Sequence, residues 1–323
     1  MIHISGRGFS YRGRTAVQER GHAMSRTVSP YSDLIVSFCP TGMIPTKPTT
    51  PHAPITPAEV IDEACGALEQ GVALVHLHAP DEQEKAFETM ILGIRGHFPD
   101  AIVCVSGSGR SHSSFERRSE ILELTGAARP DLASLPMTSL DFPIGTNQNA
   151  PEMVMALAER MVARGIKPEV ECLDFGMISA ANMLISKGLL GEPPYYFSLL
   201  LSSGYSVPVT ARHLSNMVED LPQDSLWSAA GTGLFQVPVN TLAVAMGGHC
   251  RLWPEGNIYQ GLRRTALATK LGLVERVKLL TESFGRPLAS SQHARRLLGL
   301  GPSASHQLAD FDYDERSGQP THV

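Results

Sequence analysis

Charge is scarce in this 323-residue chain: Asp, Glu, Lys and Arg together make up 18%, against about 25% in an ordinary globular domain. Coiled coils and disordered chains are richer in charge, so both classes are excluded. The charge present is nearly balanced, with 27 basic and 32 acidic residues for a net of −5. That leaves no basic footprint for nucleic acid or an anionic membrane. No apolar run reaches the ~18 residues of a membrane span. No C-x-x-C pair occurs among Cys39, Cys65, Cys104, Cys172 and Cys250. Their scatter and apolar surroundings read as buried free thiols in a reducing cytosol. The first 31 residues are short of acid, with Glu19 against Arg7, Arg12, Arg14, Arg20 and Arg26. A transit peptide fits this stretch, as does an over-long start with translation or order beginning near Met24; the second is favoured. It also lacks a strong hydrophobic period, so a loose arm is expected over 1–31.

Glycine and proline are in surplus. The 29 Gly and 23 Pro of 323 residues are about 9% and 7%, against ~7% and ~5% usually. Many turns joining buried elements account for both. From Asp33 onward the sequence alternates short apolar stretches with longer ones of helical period. Strands are expected at 34–40, 72–78, 101–106, 131–135, 168–174, 195–201, 225–230 and 248–253. Helices are expected at 55–71, 84–97, 113–125, 151–164, 177–188, 210–219, 238–247 and 260–284, with a short one at 292–298. In the first, Thr56 is the N-cap, Pro57 sits at N1, Glu59 completes a capping box, and Val60, Ala64 and Leu68 share an apolar face. Strands this continuously apolar are buried on both faces, which means a parallel sheet covered by helices. Eight strand–helix units predict an α/β fold, a single (β/α)8 TIM barrel over 32–300 with a polar tail at 301–323. A doubly wound sheet would call for G-x-G-x-x-G after the first strand, and the residues after Cys39 do not supply it.

Barrel active sites form at the C-terminal ends of the strands. The second strand ends in His76-Leu77-His78. Residues i and i+2 of a strand share a face, so two imidazoles point into the mouth, about 6–7 Å apart along the strand. Two neutral histidines and a carboxylate make a catalytic zinc set with one position open, and Glu255 after the eighth strand is the nearest carboxylate in sequence terms. After the third strand, Ser106 to Arg110 combine glycines, hydroxyls and a cation suited to a carboxylate or phosphate, or simply to a tight turn. Arg251 would aim a permanent cation at a substrate carboxylate, or else pair with Glu171 or Asp174. Glu171, inside an apolar strand, must be paired, metal-bound or functional.

At these residues the chain resembles the β-keto acid cleavage enzymes, a family whose first characterised activity is 3-keto-5-aminohexanoate cleavage. The likeness is carried by PTGMIPTKPTTPHAPITPAEV (40–60), LVHLHAPDE (74–82), VSGSGR (105–110), KPEVECLDFGMI (167–178), LWSAAGTGLFQVPVNTLAVAMGGHCRLWPEGNIY (226–259) and ARRLLGL (294–300), and runs in order from about 33 to 300. It implies a zinc-bearing barrel that takes a β-keto acid and acetyl-CoA to acetoacetate and a new acyl-CoA. It implies His76, His78 and Glu255 as zinc ligands, and Ser106, Gly109 and Ser134 as substrate contacts. Glu171 and Arg251 are implied as catalytic, and a homo-oligomer is implied as the assembly.

Three positions depart from the family pattern. Gly256 stands where an aspartate pairs with the arginine as a base, Pro80 where the family often has arginine, and Ile44 where several members place a carboxylate for an amino substrate. Ile44 points to an uncharged or apolar keto acid. Asp81 and Glu171 are the candidates to replace the missing base. Two other readings remain: a metal-dependent C–C lyase or hydrolase acting without CoA, and a non-catalytic paralogue that binds zinc and a keto acid. No nucleotide-binding motif for CoA is readable.

Overall fold

The computed structural model of the chain describes residues 32–42, 47, 48, 50–79, 84–107, 113–141, 146–201, 206–252, 259 and 267–308. The expected arm at 1–31, and the positions Ile44, Pro80, Asp81, Gly109, Glu255 and Gly256, lie outside these.

Eight parallel strands close into a barrel: β1 (Val36–Phe38), β2 (Leu74–Leu77), β3 (Ile102–Val105), β4 (Leu132–Pro136), β7 (Lys167–Cys172), β8 (Tyr195–Leu201), β9 (Ser225–Gly231) and β10 (His249–Leu252). They pair in chain order, and β1 closes on β10 with Ser37 opposite Arg251. A small antiparallel hairpin, β5 (Leu140–Asp141) with β6 (Thr146–Asn147), sits after β4 and was not foreseen in the sequence. Around the barrel lie α1 (Pro57–Glu69), α2 (Glu84–His97), α3 (Phe115–Ser119), α4 (Pro151–Ala163), α5 (Phe175–Ser186), α6 (Ala211–Glu219), α7 (Gln236–Ala245) and α8 (Lys270–Ser283). The eight strand–helix units are those of a (β/α)8 barrel. No helix among the described residues is long and apolar enough to cross a membrane.

Local chemistry explains how these elements begin and end. The α1 capping box is present: the Glu59 amide donates to Thr56 Oγ1 at 3.3 Å, and the Thr56 amide donates to the Glu59 carboxylate at 3.1 Å. Val60, Ala64, Ala67 and Leu68 are buried along its inner face. Gly71, at φ 97°, then turns the chain into β2 in a conformation that favours glycine. Two expected helices are shorter than foreseen. The stretch at 113–125 is α3 followed by a 3-10 turn at Glu120–Leu122, where adjacent Ile121 and Leu122 are both buried. Of the stretch at 260–284, residues 260–266 lie outside the described ones; the described part is helical from Lys270, where Thr269 accepts from the Gly272 amide at 3.1 Å, and Leu267 bridges to Tyr259.

The barrel is closed at its N-terminal end. A further helix, α9 (Ser291–Leu297), packs Ala294, with Leu298 just after it, against Ile35, Leu74, Ile102, Leu132 and Leu226 at the strand starts. Asp131 ties this base together, accepting from Arg95 at 2.8 Å and Arg295 at 2.6 Å. Packing is tight between β9 and β10 as well, where a Cβ on Gly248 would lie 2.3 Å from the Trp227 ring. With the base filled by apolar side chains, the polar residues of the interior collect toward the other end. Ser303 and Ala304 are also buried, and His306 reaches Asp100 at 2.6 Å, so the chain just after α9 packs back on the barrel. None of the five cysteines is in a disulfide, and four are buried.

Candidate functional site

Side chains alternate along each strand between the helix-facing layer and the interior. Val75, Leu77, Val103, Val105, Val170 and Cys172 belong to the apolar layer beneath the helices. Their neighbours His76, Cys104, Glu169 and Glu171 therefore turn inward, where Arg251 of β10 and Ser198 of β8 meet them.

Arg251 is the hub. Its Nη1 donates to Glu171 Oε1 at 2.7 Å and to Ser198 Oγ at 2.9 Å, and lies 3.5 Å from Glu169 Oε2. Its Nη2 is 3.2 Å from His76 Nε2. A guanidinium has donors only, so Nε2 must be the acceptor. The His76 proton is therefore on Nδ1, which donates to Glu169 Oε2 at 2.8 Å. The Cys104 thiol donates to the same oxygen at 3.3 Å. Burial alone would push the Glu169 carboxyl up, but the Arg251 charge and the donors from His76 and Cys104 outweigh it and hold it well below the usual range. Arg251 is pushed up, its own burial outweighed by Glu169 and Glu171. Burial, reinforced by Glu169, pushes the Cys104 thiol up and keeps it protonated.

Of the residues singled out from sequence, Ser106 lies just past β3 and Ser134 on β4, both buried, with hydroxyls 3.5 Å apart. His76 is fully buried on β2, and His78, just past its end, is half-buried with its ring centroid 5.0 Å from that of His76. Of the two ion-pair partners open to Arg251, it takes Glu171; Asp174 instead caps α5, accepting from the Met177 amide at 2.8 Å. The frame beneath the third-strand loop is set by buried Arg118, which donates to the Gly107 and Gln148 carbonyls and to Asn149 Oδ1. Gly109 and Glu255 lie outside the described residues.

Glu169, Cys104 and Ser198 escaped the sequence reading. A signal for Glu169 was present: it stands two residues before Glu171 in P-E-V-E-C, the same spacing that singled out His76 and His78. The ligand atoms of His76, Cys104 and Glu169 all lie within 4.8 Å of one another, a group that could hold a metal ion. The donor chemistry fits a cation in two ways. With Nδ1 protonated, the His76 ligand atom for a cation is Nε2, which here accepts from Arg251 Nη2 instead. Among the described residues, Glu169 and Glu171 against Arg251 leave one surplus negative charge at this cluster.

Comparison with known proteins bears on this site. The family model for beta-keto acid cleavage enzyme matches residues 33–300. A 3-oxoadipate:acetyl-CoA acetyltransferase from Cupriavidus necator is 34% identical over 275 residues, covering 82% of this chain and 94% of that protein. A 3-keto-5-aminohexanoate cleavage enzyme from Fusobacterium nucleatum is 32% identical over 277 residues, covering 83% and 98%. Among solved structures, ObcA in binary complex with oxaloacetate superposes with a TM-score of 0.70 at 19% identity, over 78% of this chain and 68% of that one. That likeness bears on the fold alone.

Proposed function

The chain belongs to the β-keto acid cleavage enzyme family, and from that membership we propose that it exchanges acyl groups between a β-keto acid and acetyl-CoA, giving acetoacetate and a new acyl-CoA. The observation that carries the reading is the Arg251 guanidinium, fixed at the open end of the barrel by Glu171, Ser198 and His76. A permanent cation there suits the substrate carboxylate, and Ser106, Gly109 and Ser134 are the residues proposed to contact the rest of the substrate.

The chemistry balances as an exchange. C2 of the keto acid, flanked by two carbonyl groups, gives up a proton, and Glu171 beside Arg251 is the group that takes it. The C2 carbanion bonds to the acetyl carbonyl carbon and CoA thiolate leaves. The thiolate then bonds to the original keto carbon, the C2–C3 bond breaks, and acetoacetate regains its proton from Glu171. In this reading Glu171 takes over from the family aspartate that Gly256 replaces. Zinc, held by His78, Glu255 and the His76 Nε2 that here accepts from Arg251, would supply Lewis acidity toward the keto group. Ile44 favours an uncharged or apolar keto acid. A cytoplasmic homo-oligomer completes the proposal.

Incubating the zinc-loaded protein with a panel of β-keto acids, 3-oxoadipate included, with and without acetyl-CoA, tests it. Acyl-CoA and acetoacetate formed only when acetyl-CoA is present are the expected result. Turnover without CoA, or binding without turnover, would overturn it.

A further inference from the structure

Glu169 has no task in the chemistry above, yet it is the most enclosed carboxylate near the site, with no exposed surface. It lies on β7 two residues before Glu171, opposite Ser134 of β4 and Tyr196 of β8, and so one inward-facing position deeper in the barrel. A keto acid entering at the strand ends meets Glu171 and Arg251 first. One oxygen of Glu169, Oε2, gathers three groups: His76 Nδ1 at 2.8 Å, Cys104 Sγ at 3.3 Å and Arg251 Nη1 at 3.5 Å.

Two arguments decide what this oxygen does. Ligands at about 2.0–2.1 Å on a tetrahedral zinc sit roughly 3.3 Å from each other. The 2.8 Å between Oε2 and Nδ1 is therefore a direct hydrogen bond, with no room for an ion between the two atoms. The second argument concerns the other ring nitrogen. Nε2 faces a guanidinium at 3.2 Å and can only accept, so the proton shared with Glu169 belongs to Nδ1. A carboxylate has no proton to offer at Nδ1 and so enforces this tautomer; an amide in its place can present either its oxygen or its NH2.

We propose that Glu169 is a positioning residue: it holds the His76 ring as the Nδ1–H tautomer, so that the Nε2 lone pair, which here accepts from Arg251 Nη2 at 3.2 Å, is the ligand atom that a divalent cation at the barrel mouth takes in place of that hydrogen bond. The cation part rests on the zinc reading given above; the tautomer part does not. Such a carboxylate behind a metal-bound imidazole orients the ring and raises its basicity, and its loss typically weakens metal binding 10- to 100-fold.

The test has two readouts on the full-length protein. The first is the 15N spectrum of His76 in metal-free protein, assigned by its loss in His76→Gln. Wild type should show a protonated Nδ1 and an unprotonated Nε2; in Glu169→Gln the guanidinium at Nε2 still favours that tautomer, so the variant is read by its zinc affinity. The second is zinc affinity by competition with a chromophoric chelator, expected to fall 10- to 100-fold in Glu169→Gln and to recover in part in Glu169→Asp. A wild-type His76 protonated on Nε2 overturns the proposal without any variant having to fold. So does a Glu169→Gln protein that is less stable but keeps the wild-type zinc affinity, because Glu169 would then be structural only. If wild type binds no zinc while the tautomer result holds, the metal reading fails and the positioning of the His76 ring by Glu169 survives.

Discussion

Arg251→Met removes the cation that balances two buried carboxylates, and its consequence can be worked out from the contacts. In the wild type Arg251 is nearly fully buried, touches Glu171 at 2.7 Å and lies 3.5 Å from Glu169. Methionine fills much of the volume but leaves Glu169 as a buried charge without its cation. Removing one partner of a buried pair costs about 3–5 kcal/mol. Glu171 is partly exposed and can draw in water, so most of that cost falls on Glu169. The pH dependence should change sign. In the wild type the folded-state Glu169 carboxyl lies at about 2, below its ordinary 4.5. Its stabilisation is therefore complete above about 4.5 and is lost as pH falls toward 2. Without Arg251, burial pushes the carboxyl up and folding favours the protonated form, so lowering the pH should stabilise the variant. His76, Cys104 and Tyr196 are the other titratable groups around Glu169; Cys104 and Tyr196 are both pushed up and stay protonated. Urea unfolding of metal-free protein at a series of pH values measures both effects. A loss under about 1 kcal/mol with an unchanged pH slope would refute the reasoning.

Other changes have defined outcomes. Glu171→Gln should lower kcat by about 100-fold or more while the KM for the keto acid shifts only a few-fold; a kcat within threefold of wild type in steady-state assays would rule Glu171 out as the base. Gly248→Ala drives a methyl to 2.3 Å from the Trp227 ring and should cost about 1–3 kcal/mol in denaturant unfolding. Thr56→Ala removes one half of the α1 capping box and should cost about 0.5–2 kcal/mol, with activity unchanged. Chelation to a metal content near zero by elemental analysis should abolish acyl exchange and added zinc should restore it; activity in the stripped protein would remove zinc from the account.

The barrel was readable because each of its strands is a short apolar run, and both faces of such a strand must be covered. The helices with a cap at one end and a glycine at the other, such as α1 between Thr56 and Gly71, were readable for the same local reasons. Where a helix was over-extended, the pattern was ambiguous. Ile121 and Leu122 are consecutive, and a 3-10 turn buries both where an α-helix face would favour one. The site divides along the same line. His76, Glu171 and Arg251 stand out because polar residues in apolar strands need partners, and the structure brings all three together. Cys104 and Ser198 carry no such signal, since a small residue in a buried strand reads as core. Which of Glu169 and Glu171 reaches Arg251 at hydrogen-bond distance, and which reaches His76, depends on the register between β7, β2 and β10, and no local pattern encodes it.

The most direct test of the central claim follows the carbon. With a β-keto acid and acetyl-CoA labelled with 13C in both acetyl carbons, the exchange places the label in C3 and C4 of acetoacetate and leaves the new acyl-CoA unlabelled. Consumption of the keto acid with the label still in acetyl-CoA would contradict it.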